Sequence, residues 1–272
     1  MRATLLQLRV DDSEDARARR RRAADLVRAR AGDDLVVLPE GWAAGAWNHA
    51  TWARDAEPLD GPTARAMSGA ARAASVWLHA GTIVERAPDG TLYNTALLFG
   101  PDGVRRGHYR KIHRYGFDTG EAALMGAGER IVTVPAPFGT VGLATCYDLR
   151  FPELFRALLD AGARFLLVPA AWPAGRLEHL RLFVRTRAVE EQCFVLACVA
   201  AGEHGGVRQA GHSMVVGPWG EVLAEAGEGE EVLTADVDPS EVDRVRAELP
   251  VLRDRVLGIP VPVRRAFGRP GG

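Results

Sequence analysis

Short apolar runs alternate with amphipathic segments along most of the chain. The runs "TLLQLRV" and "DLVVLPE" have the length and composition of buried strands, and residues 13–31 between them repeat apolar positions with helical spacing. A second helix is predicted from about Pro62 to Ala74, with proline at an early helical position. This alternation predicts an α/β fold in which strands and helices share the core.

Turn sequences divide the rest of the chain into hairpins and αβ units. "VWLHAGTIVER" and "TLYNTALLFG" are separated by "APDG", and "PDG" follows the second run. Later strands are predicted at "RIVTVPAP", "TVGLATC", "RFLLVPAAWP" and "CFVLACVAA", with helices at "PELFRALLDAG" and "LEHLRLFVRTRAVEEQ". "GHSMVVGPWGEVLAEA" predicts a hairpin that turns at "GPWG". Hairpins inserted between αβ units favour one or two mixed sheets covered by helices.

No repeat, low-complexity tract or linker interrupts this series, which predicts one domain over residues 1–250. Residues 251–272 form a C-terminal tail, "VLRDRVLGIPVPVRRAFGRPGG". Its prolines argue against a packed helix, and its apolar residues argue against complete disorder. We expect this tail to pack on a neighbouring subunit.

The charge balance of the 272-residue chain argues against nucleic acid and membrane surfaces as partners. The formal net charge is −1 and the pI is about 6.7, so the chain lacks a global basic field. The arginine-rich run from Arg17 to Arg30 is diluted by nearby acidic residues and is expected to be the solvated face of a helix. The expected partners are small molecules or other copies of the chain.

The first residues, "MRATLLQLRV", pass into charged sequence without the pattern of a signal peptide, and no apolar stretch reaches the ~18 residues of a membrane helix. We therefore expect a cytoplasmic protein. The three cysteines lack metal-type spacing. Cys193 and Cys198 lie in the apolar run "CFVLACVA", which favours a packing role, and this leaves Cys146 as the candidate for chemistry.

Lys111 is the only lysine among the 34 basic residues. An ammonium is a compact point charge on a flexible stem, whereas guanidinium is a flat fork, so a site that needs one short, aimed cation would reject arginine. Chance retention is the alternative. Glu40 ends the apolar strand "LVVLP", and Cys146 ends "TVGLAT" just before a predicted helix. Active sites of α/β sheets gather at strand carboxyl ends, so these residues are candidates to converge.

The stretch "ATCYDLRFPELF" predicts a sharp strand-to-helix passage at Cys146, which can expose a thiol and aim backbone N–H groups at a developing anion. None of the seven histidines has a decisive setting as its base, so the carboxylate of Glu40 is a candidate base. A papain-like reaction with His179 as base is one alternative. A non-catalytic scaffold with an unreactive Cys146 is another.

Several ordered segments resemble the nitrilase superfamily of carbon–nitrogen hydrolases: "LVVLPEGW", "YRKIHRYG", "LATCYDLRFPELFR", "PAAWP" followed by "RTRAVEEQCFVL", and "GHSMVVGPWGEVL". The similarity covers nearly the whole chain. It implies an α-β-β-α sandwich of the nitrilase type, with two mixed sheets covered by helices and often dimerised. It also implies a catalytic triad of Glu40, Lys111 and Cys146. A second family glutamate corresponds to Glu121, with Glu129 as the alternative.

Within the superfamily, "CYDLRFPEL" and the chain length most resemble the branch that contains ω-amidase and deaminated-glutathione amidase. This resemblance implies hydrolysis of the terminal amide of a small dicarboxylic acid derivative to acid and ammonia, through a cysteine thioester. It implies no metal and no organic cofactor. N-carbamoyl compounds and nitriles are alternative substrates for the same triad. "KIHRYGFD" is more polar than the "KIHLFD" type, and this difference bears on the substrate.

The predicted substrate contacts are Tyr115, Tyr147 and Trp172. Trp172 follows "VPAA" and is a candidate pocket wall, with core packing as the alternative. Arg150 is a candidate for binding a substrate carboxylate, but we favour an internal ion pair with a nearby acidic residue, Asp148 or Glu153.

A homodimer or higher homo-oligomer is expected. The apolar helix after Cys146, the helix that contains Arg185 to Glu191 and the proline-containing tail together predict assembly on the helical face.

Overall fold

The computed structural model describes residues 1–256, and its strands form two six-stranded sheets and one two-stranded ribbon. The strands are β1 (Arg2–Gln7), β2 (Leu35–Val37), β3 (Trp77–Arg86), β4 (Leu92–Phe99), β5 (Arg105–Arg110), β6 (Thr133–Ala136), β7 (Gly139–Leu143), β8 (Phe165–Ala170), β9 (Phe194–Val199), β10 (Glu203–His204), β11 (Val207–Arg208), β12 (Met214–Val216), β13 (Val222–Glu225) and β14 (Glu231–Asp236). The helices are α1 (Ala16–Arg28), α2 (Trp52–Asp55), α3 (Pro62–Ala74), α4 (Glu121–Leu124), α5 (Pro152–Asp160), α6 (Leu177–Glu191) and α7 (Glu241–Glu248). Short 3-10 turns lie at His49–Thr51, Cys146–Arg150, Ala174–Arg176 and Val251–Arg253.

The two large sheets have the same arrangement of parallel and antiparallel strands. The first has the order β14-β1-β2-β3-β4-β5, and the second has the order β13-β12-β9-β8-β7-β6. Three neighbouring strands run parallel in each sheet, namely β1 to β3 and β7 to β9. Antiparallel strands flank them on both sides. The α/β class and the mixed sheets predicted from the sequence are therefore confirmed.

The two sheets face each other across an apolar core. In β2, Leu35 and Val37 point into the core between the sheets, whereas Val36 points to the opposite face, toward the cluster that contains α1 and α3 residues. A strand buried on both faces is apolar at every position, which explains the unbroken run "LVV". Because α5 and α6 contact strands of the second sheet, the layers form the α-β-β-α sandwich that the family resemblance implied.

Most predicted elements agree with the structure to within a few residues. The helix predicted over residues 13–31 is α1, and it begins after Asp15, whose carboxylate accepts a hydrogen bond from the N–H of Ala18 at 2.7 Å. The first strand is shorter than "TLLQLRV". Its ladder ends at Gln7 because the antiparallel partner β14 begins at Glu231, directly opposite.

Arg19 departs from the solvated face that was expected for the arginine run. Its guanidinium is buried and donates hydrogen bonds to the carbonyl oxygens of Trp42 and Ala43, both at 3.0 Å. Burial lowers the pKa of Arg19 from its usual value. The expectation is wrong for this residue because its side chain turns inward to hold the segment that follows Glu40.

The start of the predicted tail, Val251–Arg253, is a 3-10 turn, and residues 257–272 lie outside the described residues. Within residues 1–256, none of the helices has the length and apolar content needed to cross a membrane.

Candidate active site

The candidate catalytic residues follow the carboxyl ends of three different strands. Glu40 comes shortly after β2, Lys111 directly follows β5, and Cys146 comes shortly after β7. All three line one pocket. The structure therefore brings together three residues that lie far apart in the sequence.

Lys111 is buried between two carboxylates. Its Nζ lies 2.8 Å from Oε1 of Glu40 and 2.8 Å from Oε2 of Glu121. Burial by itself lowers the pKa of Lys111, but the negative charges of Glu121 and Glu40 outweigh that effect and hold the pKa well above its usual value. Lys111 is thus a permanent ammonium. Glu129, the alternative to Glu121, is exposed and does not line this pocket.

Neutral donors fix the two carboxylates in place. The side-chain amide of Asn94 donates to Oε1 of Glu40 at 2.8 Å and to Oε1 of Glu121 at 2.5 Å. The backbone N–H of Ala171 donates to Oε2 of Glu40 at 2.9 Å, and the backbone N–H of Tyr115 donates to Oε2 of Glu121 at 2.8 Å. Hydrogen bonds to charged acceptors are strong, so these contacts set the orientation of both side chains.

A close backbone approach positions Glu40. Gly81 has a φ of 65°, and a Cβ there would lie 2.0 Å from the carbonyl oxygen of Pro39. The register of β3 against β4 shifts between His79 and Thr82, which is where this approach occurs. Only glycine allows both the left-handed backbone and the contact, so Gly81 fixes where the chain turns into Glu40.

Cys146 opens the 3-10 turn Cys146–Arg150 with a φ of 47°, an uncommon conformation for a residue with a side chain. Burial raises the pKa of its thiol well above the usual value, the charge of Glu40 raises it further, and Lys111 partly opposes this rise. The resting thiol is therefore uncharged at neutral pH. Forming a thiolate requires that its proton move to a neighbouring base.

The buried carboxylate of Asp148 connects the turn at Cys146 to the segment around Lys111. It accepts hydrogen bonds from the N–H of Thr145 at 2.9 Å and from the hydroxyl of Tyr109 at 2.7 Å. It also meets the backbone N–H of His113 at 3.1 Å and the imidazole Nδ1 of the same residue at 2.7 Å. Sequence analysis did not identify this role, because nothing in the local sequence shows which distant donors a carboxylate will meet.

The three residues predicted to contact the substrate all line the pocket: Tyr115, Tyr147 and Trp172. The Tyr115 and Tyr147 rings meet edge to face with centroids 5.4 Å apart. Trp172 is almost fully buried, and its indole N–H donates to the carbonyl oxygen of Arg176 at 2.8 Å, so it serves as both wall and core.

The opposite wall of the pocket consists of Trp47, His49 and Trp52, none of which was among the predicted substrate contacts. The available signal was the aromatic cluster in "AWNHATW", a few residues after Glu40. Trp47 meets Tyr115 edge to face at 5.3 Å, so the two walls touch. Burial lowers the pKa of His49, which favours the neutral imidazole in the pocket.

The expected internal ion pair of Arg150 is wrong. Its guanidinium lies over the rings of Trp172 at 5.2 Å and Phe183 at 5.1 Å, and it has no carboxylate partner within residues 1–256. Asp148 is not available because its oxygens already bind other donors. Arg150 instead lines the pocket, as does Arg176, which sequence analysis did not identify.

The other candidates for thiol chemistry lie elsewhere. His179, the base of the papain-like alternative, is exposed on α6 and does not line the pocket. Cys193 and Cys198 are fully buried in the core, as expected, and burial raises the pKa of Cys193 to about 12. The pocket thus combines one thiol with a buried ammonium and two carboxylates.

Comparison with known proteins places the chain in a family. The sequence profile described as "Carbon-nitrogen hydrolase" matches residues 2–247. The chain is 38% identical over 257 residues to a 2-oxoglutaramate amidase of Paenarthrobacter nicotinovorans, covering 92% of this chain and 87% of that protein. It is 34% identical over 268 residues to the human omega-amidase NIT2, covering 93% and 94% of the two chains.

The fold has close counterparts among solved structures. It superimposes on Saccharomyces cerevisiae Nit3, a member of branch 10 of the nitrilase superfamily, with a TM-score of 0.83 and 30% sequence identity. That match covers 98% of this chain and 97% of the other. The similarity therefore extends over both sheets and the loops that carry the pocket.

Proposed function

Because the chain belongs to the carbon–nitrogen hydrolases of the nitrilase superfamily, we propose that it uses Cys146 to hydrolyse the terminal amide of a small carboxylic acid. Cys146 lies at the usual catalytic position of the family. The observation that carries the proposal is the buried ammonium of Lys111, held between Glu40 and Glu121 in the same pocket as this thiol.

The first step is attack by sulfur together with proton transfer to Glu40. The cluster already holds two carboxylates against one ammonium, so a thiolate added to it would be strongly disfavoured. Moving the thiol proton onto Glu40 keeps the total charge unchanged. Glu40 is therefore the general base, and the sulfur of Cys146 bonds to the amide carbon as the proton leaves.

The tetrahedral intermediate carries a negatively charged oxygen, which two hydrogen-bond donors of the site stabilise. Lys111 supplies a charged donor, and the backbone N–H of Tyr147 supplies a second, because the first N–H groups of a helical turn have no partner within it. Glu121 holds Lys111 in position through its 2.8 Å contact. These donors are in place before the reaction, which lowers the cost of forming the oxyanion.

Collapse of the intermediate breaks the C–N bond, and Glu40 gives its proton to the departing ammonia. The acyl group remains on Cys146 as a thioester. Glu40, again a carboxylate, takes a proton from an incoming water, whose oxygen bonds to the thioester carbon. The C–S bond then breaks, the sulfur recovers its proton from Glu40, and the carboxylic acid leaves.

The substrate class rests on the relatives and on the pocket. The names of two similar proteins describe an amidase for 2-oxoglutaramate and an omega-amidase. The pocket is small, its walls are aromatic, and two arginines, Arg150 and Arg176, lie along it. We propose a short ω-amide that carries a carboxylate at its other end. N-carbamoyl acids and nitriles are the alternatives, since the same thiol can attack both.

The test is ammonia release from a panel of ω-amides of dicarboxylic acids, N-carbamoyl amino acids and aliphatic nitriles. We expect the ω-amides to give the highest kcat/KM and Cys146→Ala to abolish release from all of them. Cys193→Ala is the matched control and retains turnover. A Cys146→Ala protein that is fully active contradicts the mechanism. A higher kcat/KM for carbamoyl compounds or nitriles contradicts the proposed substrate class, the ω-amides.

We further propose that the chain forms a homodimer through the outer face of α6. Leu182 and Val189 are 62% and 49% exposed, and a spacing of seven residues puts them on one side of the helix. Together with Val222 of β13 they line an open groove. Exposed apolar residues clustered on one face are typical of protein–protein contacts.

A further inference from the structure

Arg176 lies in the pocket with its charge uncompensated. It ends the turn Ala174–Arg176 directly before α6 and is half-buried. Its guanidinium donates one hydrogen bond to the hydroxyl of Tyr115 at 3.0 Å, and within residues 1–256 it has no ion-pair partner. A guanidinium has five N–H donors, so most of its donor capacity is left for a ligand.

Of the other two cations of the pocket, only Lys111 has carboxylate partners. Lys111 is held by both carboxylates of the site, and Arg150 lies over the rings of Trp172 and Phe183. The pocket therefore has more positive than negative side chains, and the excess lies on the two arginines. A partly desolvated cation without a counter-ion favours an anionic ligand over a neutral one.

Hydrogen bonds hold the backbone of Arg176 in place, and Tyr115 contacts its side chain. Its backbone N–H donates to the carbonyl oxygen of Pro173 at 3.0 Å, and its own carbonyl oxygen accepts from the indole of Trp172 at 2.8 Å. Its guanidinium carbon lies 5.4 Å from the ring centre of Tyr115. The N–H of Tyr115 binds Glu121, which in turn binds Lys111. Tyr115 thus connects the side chain of Arg176 to Glu121 and Lys111.

We propose that Arg176, aligned by the hydroxyl of Tyr115, binds the carboxylate at the end of the substrate remote from the amide. The planar guanidinium can donate two parallel hydrogen bonds to a carboxylate, which fixes its orientation as well as its charge. The inference rests on the proposed amidase function and names the residue that sets its substrate class. Arg176 makes the enzyme select ω-amides of carboxylic acids over uncharged amides of equal length.

Glutaramate and pentanamide provide a matched test. Both are primary amides of the same chain length, and they differ only in a terminal carboxylate or methyl group. We expect the ratio of kcat/KM for glutaramate over pentanamide to fall by about 100-fold in Arg176→Met, because one partner of a charge pair is removed. Arg176→Lys should keep part of the ratio, since it retains the charge without the fork. Arg21→Met, which removes an exposed arginine on α1, is the control and keeps the full ratio.

Direct binding separates this proposal from the proposed function. Calorimetric titration with glutarate needs no turnover, and we expect its affinity to weaken by about 30-fold or more in Arg176→Met. Circular dichroism checks that each variant is folded. If the wild type hydrolyses neither amide, the proposed function fails, and the glutarate titration still decides the role of Arg176.

Two results overturn the assignment of the carboxylate to Arg176. The first is an Arg176→Met protein with a kcat/KM ratio and a glutarate affinity both within threefold of wild type. The second is a collapse of the ratio in Arg150→Met but not in Arg176→Met, which assigns the carboxylate to Arg150. Tyr115→Phe should reduce the ratio less than Arg176→Met, because it removes only the group that aligns the guanidinium.

Discussion

The imidazole Nδ1 of His113 lies 2.7 Å from Oδ1 of Asp148 and joins the segment that carries Lys111 to the turn that carries Cys146. The second oxygen of the same carboxylate accepts from the hydroxyl of Tyr109, two residues before Lys111. Neither His113 nor Asp148 lines the pocket. Their contact nevertheless connects the segment of Lys111, the proposed oxyanion donor, to the turn of Cys146, the proposed nucleophile, so we propose that Asp148 is a positioning residue.

Replacing Asp148 with asparagine tests this role. An amide can accept from Tyr109 or from His113, but its NH₂ group must then face the remaining donors. We expect kcat to fall by about 10- to 100-fold with little change in KM, and the free energy of unfolding to fall by about 1–3 kcal/mol. Steady-state kinetics and urea denaturation measure the two effects. Asp118→Asn, an exposed change in the same segment, is the control. A destabilised protein with unchanged kcat would leave Asp148 with a purely structural role.

Lys111→Arg keeps the charge and changes the shape. The ammonium fits between Glu40 and Glu121 with both contacts at 2.8 Å and is only 2% exposed, so a longer planar guanidinium would displace the carboxylates or enter the substrate space. Loss of an oxyanion donor costs about 10² to 10³ in rate, and we expect at least that loss in kcat. Circular dichroism should show a folded protein. Turnover within about threefold of wild type, a barrier change under ~1 kcal/mol, would show that any positive charge suffices.

The pH dependence of thiol alkylation tests the pairing of Cys146 with Glu40. Burial raises the thiol pKa, the charge of Glu40 raises it further, and Lys111 lowers it. Glu40→Gln removes the second contribution, so the pKa falls and thiolate forms at lower pH. We therefore expect the midpoint of iodoacetamide labelling, located by peptide mass mapping, to move to lower pH.

The same variant should lose turnover by about 10²-fold or more, because the proposed general base is gone. Labelling of wild type and variant should occur on Cys146 and not on the buried Cys193 or Cys198. A midpoint that rises or stays constant in Glu40→Gln would disprove the electrostatic coupling between this carboxylate and the thiol.

The proposed dimer predicts a mass in light scattering of at least twice 29.4 kDa. Leu182→Glu places a charge on the exposed apolar face of α6 and should shift the mass toward the monomer. Arg20→Glu on α1 alters charge away from that face and should leave the mass unchanged. A wild-type protein that is monomeric and fully active would refute the proposed assembly.

The sequence could mark Glu40, Lys111 and Cys146 as candidates, because two of them end apolar strands and the third is a lone lysine among arginines. The family resemblance implied that they form a triad, and the structure places all three in one pocket. Asn94 could not be predicted, since its contact with Glu40 depends on how β4 pairs with β3 and β5. Arg176 is one arginine among many, and only the fold places it beside the aromatic wall.

The misassigned ion pair of Arg150 shows the limit of sequence proximity. Asp148 and Arg150 are two residues apart, yet the tight turn directs the carboxylate inward to Tyr109 and the guanidinium toward Trp172. The side chains of a short helical turn diverge, so neighbours in sequence at this spacing do not face each other. The number of sheets is a separate case. The hydrophobic periodicity was compatible with either one or two mixed sheets, and only the family resemblance predicted the two-sheet sandwich.

Glu40 is held from both layers of the sandwich, by Asn94 from the first sheet and by the N–H of Ala171, which directly follows β8 in the second. In the proposed mechanism, catalysis therefore depends on the alignment of one sheet against the other. A slip of one sheet against the other would misdirect the carboxylate while leaving every strand intact. On gradual warming, activity should disappear before the far-ultraviolet dichroism changes. Such early loss would tie the proposed activity to the spacing between the two sheets.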